Sequence, residues 1–118
     1  MEKKNRDEIL TGKTFKYLTG CGNAYITINS NSSGEPIELF TNLGKAGSCQ
    51  KCILEGISRL ISLGLKYNVP LNEIIHEISN LACDRQIYHN GKIIKSCIDA
   101  IAKALKENSN MTEGSNDK

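Results

Sequence analysis

Aromatic residues are scarce, with no tryptophan, two phenylalanines and four tyrosines among 118 residues. With so few rings for base stacking and a net charge of only +2, the chain lacks the dense basic face of a dedicated nucleic-acid binder. It also lacks any apolar run near the ~20 residues that a membrane span requires. The N-terminus "MEKKNRDEIL" carries charges with no apolar segment behind them to make a secretory leader. A cytoplasmic protein without a membrane partner is expected. The length suits one domain, whose folding buries roughly two-thirds of the unfolded surface.

The charge that is present is unevenly placed. Between residues 13 and 106 there are 11 Lys/Arg against seven Asp/Glu, whereas the last twelve residues carry one basic and three acidic groups. The middle of the chain therefore leans toward small anionic ligands. Cysteine is plentiful for a small cytoplasmic chain: Cys21, Cys49, Cys52, Cys83 and Cys97. An odd number of thiols in a reducing compartment argues against a closed disulfide framework and leaves metal ligation, thiol chemistry or simple burial open.

The order of elements is legible from periodicity. Residues 1–12 and the polar tail 107–118, "ENSNMTEGSNDK" without its leading lysine context, show no hydrophobic period and are expected to be a flexible arm and a disordered tail around a domain at 13–106. "TFKYLT", "AYITINS" and "PIELFTN" alternate as strands, the last two joined by the turn-rich "NSNSSGEP". The period then becomes helical, with Ile53, Ile57, Leu60, Ile61 and Gly64 forming one stripe after an N-cap at Ser48. "NVPLNEIIHEISNLA" supplies a second helix burying Leu71, Ile74, Ile75 and Ile78. Asn90-Gly91 marks a tight hairpin, and Ser96 with Asp99 caps a third helix. The fold class is α+β: an antiparallel β-meander with helices on one face, plus a small hairpin before the last helix.

"KAGSCQKC" raises the chemical question, since a C-x-x-C at a loop-to-helix junction suits a metal, a phosphate or redox work. At 100° per residue, Cys49 lies about 40° and Cys52 about 100° from Ile53 taken as stripe centre, so Cys49 is expected inward and Cys52 at the edge. Ser48-Cys49 and Ser96-Cys97 both open helices, where unpaired N–H groups favour a thiolate. Cys21 sits between glycines in "TGCGN", and Cys83 follows the second helix. Cys21, Cys49, Cys83 and Cys97 thus all stand at element ends, from which four sulfurs can converge on a tetrahedral ion, although only one C-x-x-C is present where a zinc ribbon shows two.

The runs "LTGKTFKYLTGCGNAYITIN", "LGKAGSCQKC", "LISLGLKYNVPLNEIIHEI" and "YHNGKIIKSCIDAIAKAL" resemble the TSCPD domain over about residues 10–106. That domain is found at the C-terminus of many adenosylcobalamin-dependent ribonucleotide reductases and as small separate proteins. The resemblance implies metal binding, with zinc or iron, including an iron–sulfur centre, as the ion, and its cysteine pattern falls on Cys21, Cys49, Cys83 and Cys97 while omitting Cys52. The naming motif stands here as Lys95-Ser96-Cys97-Ile98-Asp99, which keeps the cap, the sulfur and the carboxylate but not the threonine or proline. The chain opens on its own Met and shows no reductase barrel, cobalamin site or glycyl-radical segment, so reductase activity is not expected of it alone.

In "NLGKAGS", Gly44, Lys45, Gly47 and Ser48 precede a helix start and form a candidate phosphate loop, though not in P-loop order. A glycine-requiring turn with a solvated lysine explains the same residues. His89 is a candidate substitute metal ligand, His76 a surface residue, and Asp84 with Asp99 do not make a catalytic pair. Tyr17, Tyr25, Tyr67 and Tyr88 suit packing as well as stacking. Three functions are consistent with this reading. The first is a non-catalytic module capturing a nucleotide or other phosphate-bearing small molecule, even sequestering a nucleotide signal as phage-encoded sponge proteins do. The second is an accessory thiol or metal domain for a ribonucleotide reductase chain. The third is a structural, metal-stabilised interaction domain that forms a homo-oligomer.

Overall fold

A computed structural model of the chain describes residues 3–43 and 48–114. The elements run β1 (Thr11–Thr19), β2 (Gly22–Ser30), β3 (Pro36–Leu43), α1 (Ser48–Lys66), α2 (Leu71–Ile78), β4 (Ile87–His89), β5 (Lys92–Ile94) and α3 (Cys97–Gly114). β1, β2 and β3 form an antiparallel meander and β4 and β5 a separate hairpin, so the α+β architecture expected from the sequence is the one observed. Among the described residues no helix is long and apolar enough to cross a membrane.

Period-2 alternation assigns the sheet faces. Tyr17 pairs with Ala24, Ala24 with Leu43, and Ile28 with Leu39; these side chains are buried together with Ile26. From α3, Ile101, Ala104 and Leu105 close over the same core, with Leu54, Ile61 and Leu65 from α1. α2 contributes Leu71, Ile74, Ile75 and Ile78 as partly buried side chains, none of them fully enclosed. Asn90 (φ 51°) and Gly91 (φ 81°) both take the left-handed region, the pair of conformations that a type I′ turn requires.

Three expectations need correction. The buried meridian of α1 is Leu54, Ser58, Ile61 and Leu65, while Ile53 and Leu60 are 54% and 68% exposed. The reason is polar docking: Ser58 Oγ lies 2.7 Å from Thr41 Oγ1, and Ser62 Oγ accepts from Leu39 N–H at 2.9 Å while donating to Leu39 O. Counting apolar residues passes over a face that two serines define. At the N-terminus, residues expected to be a loose arm are tied to the body, since Lys4 N–H donates to Lys66 O at 2.7 Å and the Arg6 guanidinium makes two 3.1 Å bonds to Glu38. At the other end α3 runs to Gly114 instead of stopping at 106, because Asn108 is buried and Glu107 accepts from the Tyr17 hydroxyl.

The start of α3 is densely bonded. Asp99 N–H donates to Ser96 Oγ at 3.0 Å, the expected N-cap. The buried Asp99 carboxylate accepts from Asn80 N–H (2.8 Å), Lys95 N–H (3.0 Å) and Lys103 Nζ (2.7 Å). Burial alone would raise its pKa, but Lys103 and the two backbone donors outweigh that and hold it below the usual carboxylate range. A carboxylate with a lowered folded pKa adds stability that is complete above its unfolded value of about 3.9 and is lost as pH falls through the folded value. Asp99→Asn should therefore cost about 2–3 kcal/mol at pH 7 and flatten the acid limb of stability measured by urea unfolding between pH 5 and 2.

Candidate thiol and metal site

The site grows from the β1–β2 turn. Thr19 pairs with Gly22 across it, leaving Gly20 and Cys21 as the two-residue connection. The Thr19 hydroxyl organises the turn by donating to Gly22 O at 2.7 Å and accepting from Cys21 N–H at 3.1 Å. The same oxygen lies 3.5 Å from Cys97 Sγ. One side chain thus links the hairpin tip to the first residue of α3.

Cys83 arrives from the α2–β4 connection. Its N–H donates to Lys95 O at 2.9 Å, and its Sγ accepts from Arg85 N–H at 3.3 Å. The 83–86 segment lies directly on the hairpin tip: a Cβ on Gly20 would sit 1.9 Å from Arg85 O, so only glycine permits this approach. Burial pushes the Cys97 thiol pKa up; the Thr19 hydroxyl opposes the shift, while the neighbouring Cys21 and Cys83 sulfurs reinforce it. Cys21 and Cys83, from two other parts of the chain and likewise partly buried, are thus electrostatic neighbours of the Cys97 thiol.

Cys49 stands apart from these thiols. Leu43 pairs with Ala24, so β3 finishes beside the hairpin tip and α1 begins five residues later. Cys49 is exposed, as is Cys52. The expectation that Cys49 points inward fails with the stripe on which it rested: measured from Leu54, Cys49 lies about 140° round the helix. Among the described residues, no group of three or more His, Cys, Asp or Glu side chains is placed closely enough to hold a metal ion.

The other candidates separate in the same way. His89 is directed to the edge of β1, where its Nδ1 accepts from Leu18 N–H at 3.2 Å, a role different from the metal ligation considered for it. His76 is exposed on α2, as expected. Gly44, Lys45 and Gly47 lie outside the described residues, and Ser48 enters only as the first residue of α1. Sequence reasoning missed Thr19, Gly20 and Arg85 as organisers of the thiol group. The glycine pair flanking Cys21 carried the signal for close backbone approach, but nothing in the sequence indicated which segment approaches.

The TSCPD domain model matches residues 1–109. The chain belongs to the TSCPD domain family. Its relatives are proteins described as "Vitamin B12-dependent ribonucleotide reductase": that of Rhodopirellula baltica is 27% identical over 95 residues, covering 78% of this chain and 9% of the reductase. Those of Streptantibioticus cattleyicolor and Streptomyces clavuligerus are each 30% identical over 70 residues, 59% of this chain, and the matched parts are 12% and 7% of those proteins. This TSCPD chain thus spans about a tenth of the length of the curated relatives it matches. No solved structure matches it.

The contrast between sheltered and exposed thiols is measurable. Iodoacetamide at pH 7.5 should label Cys49 and Cys52 first, with Cys97 slowest, as read by peptide mass spectrometry. Gly20→Ala should destabilise the fold by about 1–3 kcal/mol and bring the labelling rate of Cys97 toward that of the exposed pair.

Proposed function

We propose that this chain is a non-catalytic TSCPD module in which Cys21, Cys83 and Cys97, joined by Cys49, hold a thiophilic metal, and that it works beside a ribonucleotide reductase chain. The observation that supports the reading is that Cys21 and Cys83, from two other parts of the chain, both lie near enough to Cys97 to act on its ionisation, so that a modest closing of the three would be needed to hold an ion. The donor chemistry is suitable: the sulfurs are soft ligands, Cys83 Sγ already accepts a backbone N–H, and Cys97 stands at a helix N-terminus, although burial there favours the thiol until a cation is bound. Zinc, or iron in a cluster, would neutralise the thiolates and cross-link the hairpin tip, the 83–86 segment and α3. For Cys49 to join, the first turn of α1 must swing toward the tip. Association with a reductase chain rests on the family relationship and on the small fraction of the relatives' length that is matched.

Native mass spectrometry of gently purified protein reads the metal and the subunit number together, and metal analysis separates colourless zinc from a coloured cluster. Cys21→Ser, Cys83→Ser and Cys97→Ser should each lower metal occupancy more than tenfold, whereas Cys52→Ser should leave it unchanged. Equal tolerance at all four positions contradicts the reading. Capture of a nucleotide at Gly44, Lys45, Gly47 and Ser48 is the accompanying proposal. It rests on the loop's composition and its position before α1. Calorimetry with a nucleotide panel tests it, Lys45→Ala being expected to weaken binding roughly tenfold.

A further inference from the structure

The open edge of β1 faces a cavity of about 470 Å³ whose walls include Lys16, Tyr17, His89, Asn90, Lys92 and Glu107. Its size falls in the range of small-ligand sites, and its chemistry is asymmetric. Donors dominate. Neither Lys16 nor Lys92 has a carboxylate partner among the described residues. His89 is already committed on both ring nitrogens, Nδ1 accepting from Leu18 N–H and Nε2 lying 3.2 Å from the Asn90 side-chain amide, so it shapes the wall and leaves the anion to the lysines. Leu18 N–H points away from β2, and strand alternation turns Lys16 N–H toward the same open edge.

Among the described residues the one carboxylate on the cavity wall is Glu107, and the Tyr17 hydroxyl already donates to it. Burial first, and then Glu107, raise the Tyr17 pKa, so the phenol stays a donor. That bond moderates the repulsion Glu107 would exert on an incoming anion and leaves its second oxygen to accept from a ligand hydroxyl. A second cavity of about 380 Å³ adjoins the first, since Lys92 and Glu107 line both, and it adds Lys103 and Lys106. Lys103 is committed to Asp99, whereas Lys106 has no such partner among the described residues.

We propose that this cavity binds a compact phosphate monoester, its phosphate held between Lys16 and Lys92 and a sugar hydroxyl received by Glu107. None of the thiols lines this cavity. A bare phosphate uses only the lysines, whereas a ribose phosphate also engages Glu107, so inorganic phosphate should bind more weakly than ribose 5-phosphate. Adenosine monophosphate distinguishes a nucleotide ligand from a sugar phosphate.

The test is isothermal titration of the full chain with inorganic phosphate, ribose 5-phosphate and adenosine monophosphate at 50 mM and 300 mM salt. Binding of at least one ester with micromolar Kd is expected. Lys16→Ala/Lys92→Ala should weaken it roughly tenfold or more, with the thermal midpoint of the unliganded protein unchanged. Lys13→Ala, which removes a β1 lysine outside the cavity, should have no effect, and Lys45→Ala should leave the binding of ribose 5-phosphate unchanged, whatever it does to a nucleotide held at the loop. Absence of binding below millimolar for all three probes overturns the proposal, as does equal weakening by Lys13→Ala. Loss with Lys45→Ala and retention with the double variant would assign the ligand to the 44–48 loop and likewise refute the β1-edge site.

Discussion

The Asp99 carboxylate is the constraint from which the rest of this end of the molecule follows. It receives N–H groups from Asn80 and Lys95 and the ammonium of Lys103, while its own N–H is capped by Ser96. Asn80 begins the segment carrying Cys83, and Lys95 O accepts from Cys83 N–H. Ser96 Oγ also donates to Leu81 O at 2.6 Å. One buried charge and its cap therefore fix the entry of α3 and the return from α2 in a single network, placing Cys97 and Cys83 relative to each other before any metal is considered. A buried carboxylate is costly when unsatisfied, but three donors compensate for its lost water.

A second constraint is the sheet's exposure. A three-stranded meander has two open edges, each a template for unwanted pairing. Side chains serve where further strands would otherwise be needed. His89 takes Leu18 N–H on the β1 edge, and Ser62 engages both Leu39 N–H and Leu39 O on the β3 edge. The two edges differ in consequence. The serine closes its edge against a helix, whereas the histidine caps one position of β1 and leaves the next toward the chain start facing the lysine-rich cavity.

Much of this architecture was legible because local chemistry dictated it. Asn90-Gly91 specifies its turn through positive φ, Ser96 and Asp99 specify a cap through hydrogen-bond reach, and Ala24, Ile26 and Ile28 specify a buried face through period 2. The failures were tertiary. The face α1 buries is chosen by Ser58 and Ser62 meeting β3, a preference invisible to an apolar count, and Cys49 was misplaced with it. Residues 3–10 looked unstructured because their anchors, Lys66 and Glu38, are distant in sequence. For the cysteines, Cys21 and Cys83 do lie near enough to Cys97 to act on its ionisation, through Gly20 pressing on Arg85, a contact no spacing rule contains.

The protonation state of these sulfurs links the fold to its chemistry. Burial first, reinforced by the neighbouring Cys21 and Cys83 sulfurs, keeps the Cys97 pKa above its ordinary value. A thiol with a raised folded pKa costs nothing while both states are protonated, but above the unfolded value of about 8.5 the unfolded chain alone releases its proton and stability declines as pH rises. A bound cation reverses the sign, because it favours the thiolates that burial disfavours and expels their protons. Metal affinity should then increase with pH over the range in which the cation-free fold begins to weaken. If the proposed metal binds, the same surroundings that penalise deprotonation of Cys97 would favour ion capture, because the cation supplies the opposing charge.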